Sequence, residues 1–174
     1  MANLWHFLMP TNHIEHRGFI KLYYGHINKL STTVNILPTA SADKVIKNIP
    51  FQIEALWDTG ATLTFIKPKI RDQLKLRMFR TGSSISIAGV GGLVKADFTI
   101  LSIFLAPNFA IEYCPAYVVD FPVNFDMVIG MDIINMGDFA VCNTENKTSF
   151  SFVIPPLPDR IDFTDKADTL NKAY

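Results

Sequence analysis

An acid, a hydroxyl residue, a glycine and a small residue stand together at Asp58-Thr59-Gly60-Ala61. A positioned carboxylate of this kind can take or give a proton. The run before it, Phe51-Gln52-Ile53-Glu54-Ala55-Leu56-Trp57, is rich in strand-favouring residues and alternates loosely. It reads as a strand entering a tight turn. A carboxylate at the end of a buried strand is costly unless its charge is held or used. Gly60 lets the backbone bend where a side chain would block it, and the Thr59 hydroxyl can bond nearby backbone. Alone, the four residues read first as an acid opening a loop.

Two later stretches alter that weighting. One is Ile87-Ala88-Gly89-Val90-Gly91-Gly92-Leu93-Val94-Lys95, and the other is Phe125-Asp126-Met127-Val128-Ile129-Gly130-Met131-Asp132 with Ile133-Ile134-Asn135-Met136-Gly137 after it. In this order the three resemble the retropepsin-like aspartic proteases, over roughly residues 44–154. The resemblance implies an all-β, closed retropepsin-like (acid protease) barrel with one or two short helices and a flap hairpin. It also implies peptide hydrolysis by two carboxylates that share a proton across an attacking water. One acts as general base while the other, protonated, hydrogen-bonds the scissile carbonyl. Such a pair titrates as a unit.

The chain holds one Asp-Thr-Gly and no second, since Asp168-Thr169-Leu170 lacks the glycine. A single copy therefore brings half a catalytic site, and a protease reading requires two copies about a two-fold axis. By the resemblance, Asp58 is the catalytic acid/base and Thr59 locks the two active-site loops together. Gly60 faces substrate backbone, and Ala61 stands beside the carboxylates. Pepsin-like enzymes commonly carry Ser or Thr at that last position, so Ala61 implies activity from mildly acidic to near-neutral pH. Ile87, Ala88, Gly89, Val90, Gly91 and Gly92 are implied to be the flap over bound peptide, with glycines that permit close approach and movement. Taken alone they form an ordinary glycine-rich hairpin. A phosphate-cradling loop fits poorly, because the spacing misses G-x-G-x-x-G and the following residues are strand-like. Ile129 and Gly130 match the hydrophobic-glycine signature that packs behind the catalytic loop. The resemblance implies no metal or other cofactor, and a peptide or protein substrate.

Three departures stand out. Retroviral relatives usually have Arg where Met131 stands, and their chains end soon after the helix, whereas this one continues through a hairpin to Ile154. Trp57 is larger than the usual aliphatic residue and is expected to reshape packing under the site.

The elements that must position these residues follow from pattern and punctuation. Strands are expected over 19–27, 32–37, 63–66, 84–88, 93–105, 110–119 and 127–129. Val45-Ile46-Lys47 and Phe51 to Trp57 read as a hairpin delivering Asp58. Pro68 to Leu76 is the best helix of the first half, opened by Pro68, with Ile70, Leu74 and Leu76 on its apolar side. Asp132 is expected to cap a short helix over 133–136 that Gly137 stops. Phe139 to Cys142 and Ser149 to Ile154 bracket a hairpin loop at 143–147. Many short strands and few helices indicate an all-β barrel.

Composition bounds the alternatives. The 174 residues are 49% apolar and 18% charged, with a formal net charge of zero, which suits one globular domain with a sizeable core. No basic stripe favours nucleic acid. No stretch has the length of a spanning helix, and the N-terminus lacks the basic start and apolar run of a secretory signal. A stand-alone cytoplasmic protein, neither nucleic-acid- nor membrane-bound, is expected. Two cysteines, Cys114 and Cys142, do not make a disulfide framework. His6, His13 and His16 lack the partners of a metal site and read as surface residues. The expected organisation is a lead-in with accessory strands over 1–43, the protease-like domain over 44–154 and a polar tail over 155–174. The competing functional class is a non-catalytic peptide-binding module that keeps the fold.

Overall fold

The computed structural model describes residues 15–39, 49–80, 84–87, 92–159, 163 and 166–167, giving the backbone course alone at 84–87 and 92–95. Strand β1 (Arg17–Tyr24) is followed by β2 (Ser31–Pro38) and β3 (Phe51–Trp57). In β3 the pattern resolves into strict alternation, with Ile53, Ala55 and Trp57 buried while Gln52 and Glu54 face out. The period of two thus aims one face at the core and leaves Asp58 at the strand's end. The Val45-Ile46-Lys47 arm of the expected hairpin lies outside the described residues. Within them, β3 pairs antiparallel with β2 and parallel with β9 (Met127–Ile129).

Six strands close a barrel in the order β2-β3-β9-β4-β8-β7. Here β4 is Phe65–Ile66, β7 is Phe98–Ala106 and β8 is Phe109–Val118. Closure leaves no barrel strand with a bare edge. The interior is filled by aliphatic side chains such as Val34, Ile36, Ile53, Leu101, Ile103, Met127 and Ile129. The closed all-β barrel expected from the sequence is therefore the fold observed, with the short helices Pro68–Leu74 and Met131–Ile134 among the described residues.

Helix α1 (Pro68–Leu74) carries Pro at its first turn, buries Ile70 and Leu74, and ends at Lys75 in a left-handed conformation. Leu76 lies beyond it, buried, so the helix is one turn fragment shorter than expected. The expected continuous strand over 93–105 is two strands. Its first part, β6 (Gly92–Lys95), pairs among the described residues with β5 (Ser84–Ile87), whereas β7 joins the barrel through β2 and β8. Ala96 and Asp97 break the run, with the Asp97 carbonyl accepting from Val118 N–H at 2.9 Å.

Outside the barrel lies a three-stranded sheet, ordered β1-β11-β10, where β10 is Asp138–Thr144 and β11 is Lys147–Ile154. The loop between β10 and β11 is shorter than expected. Asn143 and Thr144 continue the strand, and Glu145 and Asn146 alone make the turn with φ of 47° and 61°. Two left-handed residues in succession give the turn whose twist matches a hairpin. The sheet's inner face presents Phe150 and Phe152, both fully buried, to the barrel core.

Candidate active site

The Asp58 turn is built from its backbone outward. Asp58 N–H donates to the Ile129 carbonyl at 3.0 Å, which extends the parallel β3-β9 ladder by one bond beyond Trp57. The chain then turns, with Ala61 N–H donating to the Asp58 carbonyl at 3.1 Å. Gly60 N–H donates to Asp58 Oδ1 at 2.8 Å, so one carboxylate oxygen is held by the turn it opens. An aspartate that bonds backbone two residues on is a standard turn former, and here it also fixes the rotamer. Asp58 and Ala61 are half-buried, while Thr59 and Gly60 are exposed. No other hydrogen bond reaches the Asp58 carboxylate among the described residues.

Behind this turn runs the second segment. Gly130 lies so close that a Cβ there would meet the Leu63 carbonyl oxygen at 2.4 Å and the Ala61 oxygen at 2.9 Å. Only glycine permits that passage without moving backbone. Two bonds lock the crossing, from Met131 N–H to the Ala61 carbonyl at 2.8 Å and from Asp132 N–H to the Thr62 carbonyl at 3.2 Å.

Asp132 has a different task from the one expected. Helix α2 spans Met131–Ile134, with Gly130 at its N-cap position, so Asp132 sits inside the first turn. Its Oδ2 accepts from Thr64 N–H at 2.9 Å, and its Oδ1 accepts from the Thr64 hydroxyl at 2.7 Å and from Ile133 N–H at 3.0 Å. Thr64, fully buried, in turn accepts from Gly130 N–H at 3.2 Å. Charge-assisted bonds of this kind are the stronger ones, and here they clamp the strand after the Asp58 turn onto the Gly130 crossing. Thr64 was not legible as a site residue; the hint is a hydroxyl placed just before the apolar barrel strand β4.

Trp57 forms the floor. Its ring lies edge-on to Phe150 at 5.1 Å and to Phe152 at 5.0 Å, and its Nε1–H donates to the buried Thr32 hydroxyl at 2.8 Å. Beside Asp58 opens a cleft of about 460 Å³, lined by Ile27, Lys29, Leu30, Leu56, Val141 and others. The loop between β1 and β2 and the β10-β11 hairpin supply these walls, and neither was singled out from sequence.

Of the expected flap, Ile87 and Gly92 form the last pair of the β5-β6 hairpin. Ala88, Gly89, Val90 and Gly91 lie outside the described residues. Among the described residues the hairpin is a sheet of its own, outside the strand order of the barrel. Cys114 and Cys142 are both free thiols, one buried and one exposed. His16 Nδ1 lies 3.0 Å from the Pro155 carbonyl, and His6 and His13 are outside the described residues. Among the described residues no three His, Cys, Asp or Glu side chains gather as metal ligands. Among them, too, no helix is long and apolar enough to cross a membrane.

Comparison with known proteins adds the following. The aspartyl protease family model matches residues 45–133, just over half of the chain. Among solved structures the chain is similar to the EIAV protease complexed with the inhibitor HBY-793, at 26% identity over 65% of this chain and 91% of that one, with a TM-score of 0.46. It is also similar to a retropepsin-like aspartic protease from Rickettsia conorii, at 13% identity over 80% and 96% of the two chains and a TM-score of 0.47. A third is the retroviral protease-like domain of Ddi1 from Leishmania major, at 15% identity over 68% and 91%, with a TM-score of 0.39. Curated proteins yielded no match.

Proposed function

On the premise that this chain belongs to the aspartyl protease family, we propose that it is a homodimeric aspartic endopeptidase with Asp58 as its catalytic residue. Each copy contributes one Asp58, and the pair holds one proton between them. The ionised member takes a proton from water, and the protonated member donates a hydrogen bond to the scissile carbonyl as the water oxygen attacks. An extended peptide lies as an added strand between Ile87–Gly92 and the paired carboxylates. Thr59 links the two turns across the axis, Gly60 faces the peptide backbone, and Ala61 borders the carboxylates. Ile129 and Gly130 support the turn from behind. The reaction needs water and two carboxyl groups and takes no cofactor.

The observation that carries this reading is the state of the Asp58 turn. One carboxylate oxygen is fixed by Gly60 N–H at 2.8 Å, and the residues Thr59 and Gly60 beside it stay exposed rather than packed into their own chain. A carboxylate held rigidly at an open surface is pre-organised for a partner and a substrate. The test compares cleavage of a peptide library by the wild-type chain and by Asp58→Asn. Loss of the shared proton should lower the rate by at least ~100-fold. Equal rates in the two proteins would overturn the assignment.

A further inference from the structure

The cleft beside Asp58 carries a second charge. Among the described residues that line it, Asp58 and Lys29 are the charged ones, set between the apolar walls of Ile27, Leu30, Leu56 and Val141. Lys29 stands on the loop that leads into β2 and is exposed. Its ammonium lies 5.9 Å from the centroid of the Phe125 ring. A ring face attracts a cation but gives its three N–H donors no oxygen.

Other cations of the fold are spent on oxygens. Lys21 donates to the Ser31 carbonyl at 2.9 Å, Lys67 donates to the Val123 carbonyl at 2.7 Å, and Lys69 pairs with the Asp126 carboxylate. Among the described residues no carboxylate or carbonyl does this for Lys29. Its donors therefore face the cleft's opening with an aromatic support and no acceptor. An acidic side chain, with apolar methylene and charged tip, complements both the walls and the cation.

Resting on the protease reading above, we propose that Lys29 is a specificity-determining residue that selects peptides with an acidic side chain at the position seated in this cleft. The contact is one charge-assisted N–H···O bond, with Phe125 holding the ammonium in place. Repulsion from the reacting carboxylates does not cancel it. Two copies bring two Lys29 charges, whereas the two Asp58 groups, sharing one proton, bring a single negative charge. A basic side chain at that position meets Lys29 as a like charge and is rejected. Lys29 takes no part in bond breaking, so its contribution enters through KM.

The test uses end-blocked peptides in sets that differ only by Glu, Gln or Lys at one position, walked along both sides of the scissile bond. They are offered to wild type, Lys29→Ala and Lys29→Glu, with circular dichroism to establish folding. Wild type should favour the Glu member over Gln by roughly 5–10-fold in kcat/KM at one position, less so in high salt. Lys29→Ala should bring that ratio near one, and Lys29→Glu should favour Lys over Glu. Equal cleavage of the Glu and Gln members by wild type, or a preference that survives in Lys29→Ala, overturns the proposal and leaves the protease reading standing. Calorimetric binding of the same peptides to Asp58→Asn and to Asp58→Asn/Lys29→Ala separates the two claims. If Asp58→Asn cleaves as well as wild type, yet binds the Glu members more tightly only while Lys29 is present, the recognition site is upheld and the protease reading falls. Binding without that preference overturns the proposal whatever cleavage shows.

Discussion

Trp57 shows how one residue under the site can do two jobs. Its ring joins the barrel to the outer sheet through Phe19, Phe139, Phe150 and Phe152, and aromatic pairs of this kind add about 0.5–1.5 kcal/mol each beyond burial. Its N–H finds the Thr32 hydroxyl, so the large ring brings no unpaired donor into the core. Sequence flagged Trp57 as oversized but could not name its neighbours, which come from residues far along the chain. The two cysteines divide in the same way, by environment rather than spacing. Burial, and secondarily the nearby Asp132 charge, push the Cys114 thiol up to about 12. The reactive form of a thiol is the thiolate, so a raised value means Cys114 stays protonated and inert through neutral and mildly alkaline pH. Cys142 is exposed, and its side chain stands on a sheet face rather than on the β10 edge. At pH 8, a thiol reagent should label Cys142 promptly and Cys114 only after unfolding. Mass mapping of the labelled peptides checks this, and prompt labelling of Cys114 would contradict the burial it depends on.

At the scale of elements, the strands that alternate cleanly or end at strong turn signals were readable: β2, β3, β8, β9 and the two arms of the last hairpin. Errors arose where partner choice, not local pattern, set the boundary. Nothing in Val94-Lys95-Ala96-Asp97-Phe98 punctuates the chain, yet β6 and β7 separate because they pair with different neighbours. Asp132 was readable as an acid near a helix start, but its role as a brace for Thr64 depends on a residue 68 positions away. Gly130 was readable as a site of close passage, and the geometry gives that reading a number. A Cβ at 2.4 Å from a carbonyl oxygen cannot be relieved by a side-chain rotation, because the Leu63 atom it meets is backbone. Gly130→Ala should therefore cost on the order of 3 kcal/mol, which lowers Tm by roughly 6–12 °C in a chain of this size. Because Ile129 next to it accepts the Asp58 N–H, cleavage should fall further than the folded fraction does. Melting followed by circular dichroism, paired with activity at a temperature where the variant is folded, separates the two effects. An unshifted melt would mean that the crossing is looser than the geometry implies.

For the whole molecule, the arithmetic of the site governs how activity depends on concentration. Among the described residues the barrel closes on itself, whereas the outer sheet and the β5-β6 hairpin are open sheets. If each copy supplies one Asp58, turnover is proportional to dimers rather than to chains. Well above the dissociation constant nearly every chain is paired, and the rate is linear in protein. Well below it the dimer concentration follows the square of the total, so the rate per chain falls in proportion to dilution. A log–log plot of cleavage rate against chain concentration should accordingly bend from a slope near one to a slope near two. The bend should coincide with the dissociation constant measured by sedimentation, and excess Asp58→Asn chain should suppress the rate by drawing active copies into mixed dimers. A slope near one at concentrations where sedimentation finds only monomer would mean that a single copy holds a complete site, and the shared-proton mechanism would then be untenable for this chain.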